Sequence, residues 1–146
     1  MEPRARKTWL ALHVISSVGW LGVTLANLAL ASAAFGAPQL YRAMALLGDL
    51  VVLPLALTAL ATGVVLGLGT KWGLVKHRWV LVKFALTAVA VAATAFSLRP
   101  ELHAAARGVA GAGTSVLAAS CVSLAIYVFS TVVSVFKPWG RTRRRA

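Results

Sequence analysis

Acidic residues are nearly absent. The 146-residue chain holds 3 Asp+Glu against 15 Lys+Arg, a net charge of +12. Only Glu2, Asp49 and Glu101 carry carboxylates. Glu2 falls at the opposite side of the expected fold from the other two, and Glu101 lies in a connection, so no carboxylate pair for acid–base catalysis is set up by sequence. Cysteine is scarcer still. Cys121 stands alone, which excludes an internal disulfide and a Cys-x-x-Cys metal or redox pair. A Gly-rich phosphate loop is also missing, which argues against an ATP-driven activity. His103 and Glu101 are close in sequence, but two ligands are too few to specify a metal. No catalytic residue is assigned, and the chain reads as non-enzymatic.

What the chain does have is apolar surface. Hydrophobic residues make up 60%, charged residues 12%, and the mean hydropathy is +0.83. Soluble domains carry about 25% charged residues, and disordered chains are poor in apolar ones. Both classes are excluded, and a soluble nucleic-acid binder is disfavoured despite a pI near 11.7. Four apolar runs, about 8–34, 39–68, 78–98 and 112–136, each reach the roughly 20 residues that a spanning helix needs. Hydrocarbon offers the backbone no water, so each run is predicted as an α-helix. The expected fold is all-α: a polytopic, four-transmembrane-helix up-down bundle, one membrane domain over 1–146 with a basic tail at 137–146. Gly36 and Pro38 mark the first connection, and Gly67, Gly69 and Gly73 the second. Arg99, Pro100 and Glu101 are read as the end of the third helix, and Pro138 and Gly140 follow the fourth. The first run is too long for a signal-peptide core, which spans about 7–15 residues, so it is read as a retained helix.

The basic residues are lopsided. Arg4, Arg6, Lys7, Lys71, Lys76, Arg78, Lys83, Lys137, Arg141, Arg143, Arg144 and Arg145 fall on one side of this topology. Arg42, Arg99 and Arg107 fall on the other. The positive-inside rule then puts both termini in the cytoplasm, in a cell inner or plasma membrane. Trp9, Trp72, Trp79 and Trp139 collect at the same boundary, as an interfacial belt would. Arg141, Arg143, Arg144 and Arg145 beside a helix end are placed to attract anionic lipid headgroups.

Polar residues inside the runs keep helical spacing. His13, Ser17, Trp20, Thr24 and Asn27 share one face of the first helix. Lys83, Thr87, Ala90, Thr94 and Ser97 share one face of the third. Ser120, Ser123, Tyr127, Ser130 and Ser134 share one face of the fourth. The second helix offers Asp49, Ala56, Gly63 and Gly67. A mean step of 3.5 residues is the seam of a left-handed bundle. The expected interior is therefore mildly polar, with Asn27 and Tyr127 among its intramembrane polar groups, and the exterior is Leu/Val/Ala.

Ionisable residues within the spans are costly and therefore informative. His13 and Lys83 fall in the cytoplasmic third and Asp49 in the outer third, roughly 15–20 Å from His13 along the normal. Asp49 is expected to meet Arg42, Arg99, His103 or Arg107, and Lys83 to snorkel towards headgroups. Pro54 is expected to kink the second helix and open space beside Asp49. His13 and His77 both fall near the cytoplasmic boundary, where two histidines from different helices are able to ligate a haem b iron. Trp20, Phe84 and Tyr127 are candidates to flank such a ring.

The stretch 12–22, with His13, Gly19, Trp20, Leu21 and Gly22, and the stretch 71–83, with Trp72, Gly73, His77, Trp79 and Lys83, resemble a family of small bacterial four-helix integral membrane proteins, a domain of unknown function. That resemblance implies fold and location only. The His13 to Gly22 pattern is also similar, more weakly, to copper-resistance-type membrane domains. The chain supplies two Met, one Cys and no Met-rich or His-rich outer segment with which to gather copper.

Three functions fit these residues. One is a non-enzymatic membrane component that packs with itself or a membrane partner through Gly63/Gly67 and Gly19/Gly22. A second is a b-type haem or quinone carrier using His13 and His77. The third is a small proton-linked transporter or channel centred on Asp49.

Overall fold

A computed structural model describes residues 1–69 and 77–136. Lys71, Trp72, Gly73 and Lys76, and the tail 137–146 with Trp139, Arg141, Arg143, Arg144 and Arg145, lie outside the described residues. Four helical rods make up the fold: α1 (Pro3–Ala33), α2 (Pro38–Gly69), α3 (Arg78–Ala106) and α4 (Ala112–Phe136). All four are long and apolar enough to cross a membrane. Their outer faces carry Ile15, Val18, Leu50, Leu57, Val89, Phe96, Val122 and Val135, each more than half or nearly half exposed. Apolar exposure on this scale is far beyond what a soluble monomer carries. The chain is an all-α, multi-pass membrane protein built as a four-helix bundle.

Local sequence explains where the rods start and turn. Pro3 and Pro38 sit in the first turns of α1 and α2, where a missing N–H costs nothing. Gly36 turns the chain between them at φ +80°. Gly108 and Gly111, at φ +79° and +81°, do the same between α3 and α4, a conformation that L side chains resist. These tight connections make sequential rods antiparallel neighbours, packed as a ring in which α1 touches α2 and α4, and α3 touches α2 and α4. Met1 reaches the end of α2, where a Cβ on Gly69 would overlap its side chain.

The third rod runs past the expected stop. Arg99, Pro100 and Glu101 do not end it at 98; helix continues to Ala106. The reason is a π-helical turn over Thr94–Leu98, closed by the Arg99 N–H donating to the Thr94 carbonyl. The wider turn gives room just before Pro100, whose ring would otherwise crowd the preceding turn. The second rod repeats the device. A π-turn over Gly48–Val52 precedes Pro54, with the Leu53 N–H donating to the Gly48 carbonyl. Each π-turn inserts a residue and rotates the face beyond it. Ser97, expected on the inner seam, is exposed, whereas Leu98 and Leu102 are buried.

Filling is uneven along the bundle axis. At the end that holds the first and third connections, Tyr41, Met44, Leu98, Leu102, Ala112 and Val116 form one core. In the middle, Trp20, Val52, Ala56, Ala59, Ala90 and Val91 form a second. Alanine recurs in both because small side chains let membrane helices approach closely. The end that holds the amino terminus has no third cluster among the described residues. A cavity stands there instead.

Candidate functional site

The cavity, about 260 Å³ and open on one side, lies between all four rods. α1 contributes Arg6, Leu10 and His13; α2 contributes Ala59, Leu60, Gly63, Leu66 and Gly67. α3 contributes Trp79, Val80, Lys83, Phe84 and Thr87, and α4 contributes Ser134. Most of this wall is apolar. Its polar side chains are two cations, two hydroxyls, one imidazole and the Trp79 indole, and among the described residues no carboxylate lines it.

His13 is held by α2. Its Nδ1 lies 3.0 Å from the Ala59 carbonyl oxygen and 3.0 Å from Thr62 Oγ1. The Thr62 hydroxyl already donates to the Thr58 carbonyl at 2.7 Å, so both neighbours of Nδ1 are acceptors. The proton therefore belongs on Nδ1, and Nε2 keeps its lone pair. Among the described residues Nε2 takes no hydrogen bond. Gly63 makes this placement possible: a Cβ there would stand 3.3 Å from His13 Cε1. The same contact turns Gly63 towards α1 of its own bundle. Gly19 likewise faces Leu55, while Gly22 has open space beside it. Of the two glycine faces expected to serve self-association, Gly63 and Gly19 thus make contacts within the chain and Gly22 stays open.

Lys83 does not snorkel outward. Its Nζ donates to Ser134 Oγ at 3.0 Å, from α3 to α4 across the cavity. Thr87 holds the backbone below by donating its hydroxyl to the Lys83 carbonyl at 2.9 Å. Among the described residues the ammonium has no carboxylate partner, and both ion pairs belong to Asp49.

His77 stands at the N-cap of α3 and is not part of the cavity wall. The structure therefore does not bring the two histidines together around this space. Of the three aromatic rings expected to flank a ligand, only Phe84 lines the cavity. Trp20 and Tyr127 pack on one another in the middle of the bundle, with ring centroids 4.5 Å apart and planes inclined at 55°. The Tyr127 hydroxyl lies near Thr94, Thr24 and Ser123, and Thr24 and Thr94 return their own hydroxyl protons to the Trp20 and Ala90 carbonyls. Asn27 is buried further along, and among the described residues its Oδ1, Trp20 Nε1 and Tyr41 Oη have no hydrogen-bond partner.

Asp49 lies at the opposite end. Arg99 Nε donates to its Oδ1 at 2.5 Å, and His103 Nε2 approaches its Oδ2 at 3.1 Å. Of the four outer-rim residues considered as partners, Arg99 and His103 are the two that reach it; His103 turns to Asp49 rather than to Glu101. Cys121 faces outward on α4.

Sequence reasoning named His13, Lys83 and Ser134 but missed Thr62, the Ala59 carbonyl and the reason for Gly63. Only the glycine left a trace, since it lies on the small-residue face of α2. A backbone carbonyl leaves none. Comparison with protein-family models, curated proteins and solved structures finds no match for this chain.

Proposed function

We propose that this chain is a non-enzymatic inner-membrane component that works by binding an amphipathic ligand in the His13–Lys83 cavity. The observation that carries the reading is the contrast along the bundle axis. The outer end and the middle each hold a cluster of buried side chains, and the pocket at the outer end, about 300 Å³, lies among the connections around Gly36 and Gly111; at the terminal end a cavity between the four rods themselves takes the place of a core cluster. A mostly apolar cavity with a few convergent polar groups is the common form of a small-molecule site. The charge distribution supports placing this end, with both termini, in the cytoplasm, because 12 of the 15 basic residues belong to it. The basic tail, with Arg141, Arg143, Arg144 and Arg145, would then face anionic headgroups beside the cavity mouth.

Photolabelling with an alkyl diazirine tests the reading. Saturable labelling of peptides that carry Leu66 and Phe84, reduced by unlabelled probe, is expected. Uniform labelling of exterior Phe96 and Val122, with no competition, would overturn it.

One observation favours a second reading. The His13 Nε2 lone pair, with Nδ1–H fixed on a carbonyl, is the form in which imidazole ligates haem iron or accepts a proton from a quinol. His77 would have to be replaced as the second axial ligand. A Soret band in the purified protein, lost in His13→Ala, would favour a haem carrier, and a colourless protein after haem-supplemented expression would remove it. Both Asp49 oxygens are engaged, which favours a clamp between α2 and α3 over a transport centre.

A further inference from the structure

The cavity has a charge problem that the described residues do not solve. Lys83 brings an ammonium into a space walled largely by Leu10, Leu60, Leu66, Val80 and Phe84. A cation in such surroundings is costly unless a counter-charge accompanies it. The neighbour it has, Ser134, is neutral. Arg6 adds a second cation to the same wall. The three side-chain carboxylates do not answer: Asp49 is engaged at the far end by Arg99 and His103, Glu101 sits on the same far turn of α3, and Glu2, at the N-cap of α1, makes no ion pair among the described residues.

Resting on the binding reading above, we infer that the ligand is an anionic amphiphile, an acyl chain that ends in a carboxylate or phosphate oxyanion. The head lies against Lys83, with Arg6 as the second cation. Ser134 accepts from Lys83 through its oxygen, so its hydroxyl proton is available to a ligand oxygen. The acyl chain follows the Leu10, Leu66 and Phe84 wall. A head of this kind supplies the missing counter-charge, and its charge-assisted hydrogen bonds are the strong ones. A neutral head would leave Lys83 uncompensated.

Native mass spectrometry of the full chain in mild detergent tests this, with oleate, dioleoyl phosphatidic acid, oleyl alcohol and sodium phosphate as separate probes. Oleate or the phosphatidic acid should bind saturably, and whichever binds identifies a free fatty acid or a membrane phospholipid as the source. Lys83→Gln should weaken that binding about tenfold or more, the size expected of one lost charge-assisted contact. Ser134→Ala, which keeps every charge and removes one hydroxyl, should weaken it less. Equal binding of oleyl alcohol, or an unchanged affinity in Lys83→Gln, would overturn the charge inference while leaving an amphiphile site in place. Saturable binding of phosphate alone would overturn the role of the chain. Binding of no probe, together with failed photolabelling, would overturn both readings.

Discussion

Asp49 and Arg99 stand opposite one another at the two π-turns of the bundle. Asp49 lies within the π-turn of α2, and Arg99 follows directly on that of α3; the guanidinium donates to the carboxylate at 2.5 Å. Each turn is followed closely by a proline, Pro54 or Pro100. The bond therefore joins the two places where regular helix is interrupted. His103 holds the second carboxylate oxygen from the next turn of α3.

Removing this clamp should loosen the outer end. Asp49→Asn and Arg99→Ala should each lower the midpoint of thermal unfolding in detergent, and the double variant should lose less than the sum. The Arg99 side chain is half exposed, so the coupling should shrink at high salt. Strictly additive effects would show that the pair contributes nothing.

The register beyond the π-turn of α3 is directly testable. In a Cys121→Ala background, Ser97→Cys should react with a lipid-soluble thiol reagent, and Leu98→Cys should be protected. The reverse pattern would indicate an uninterrupted α-helix at Thr94–Leu98. Pro100→Ala removes the steric reason for the wider turn and should reduce the difference between the two sites.

The same π-turn marks the limit of what the sequence makes legible. The faces of α1 and α4 were legible from spacing alone: Trp20, Thr24 and Asn27 are buried on one, and Ser120, Ser123 and Ser130 on the other. Ser16 replaces Ser17 as the buried serine of α1, a shift within the width of one helix face. On α3 the seam held to Thr94 and failed at Ser97, because constant periodicity contains no signal for one inserted residue. Pro100 reads as a stop, although the same residue is compatible with a helix that widens before it. The cavity was not legible, because it follows from packing between rods that are far apart in sequence.

Gly63 should be the residue most sensitive to added volume. A Cβ there already approaches His13 Cε1 within 3.3 Å, so Gly63→Leu should displace the ring from Ala59 and Thr62 and lower the unfolding midpoint. His13→Ala in the same chain should restore part of the loss. A double variant no more stable than Gly63→Leu alone would contradict the contact.

Met44 is fully buried in the outer core. Met44→Ala should cost about 2–5 kcal/mol, as large-to-small core substitutions do. Met44→Leu, which conserves volume, should cost less than about 1.5 kcal/mol. Equal stability of both variants and the parent, measured by unfolding in mixed detergent, would show that the outer end is not packed as described.

Four crossings with the His13–Lys83 end of the bundle in the cytoplasm are measured most directly by reporter fusions. Fluorescent protein joined after Ala146 should glow, and alkaline phosphatase inserted at Val109, between α3 and α4, should be active. Active phosphatase after Ala146, or inactive enzyme at Val109 in a stably expressed fusion, would contradict this topology.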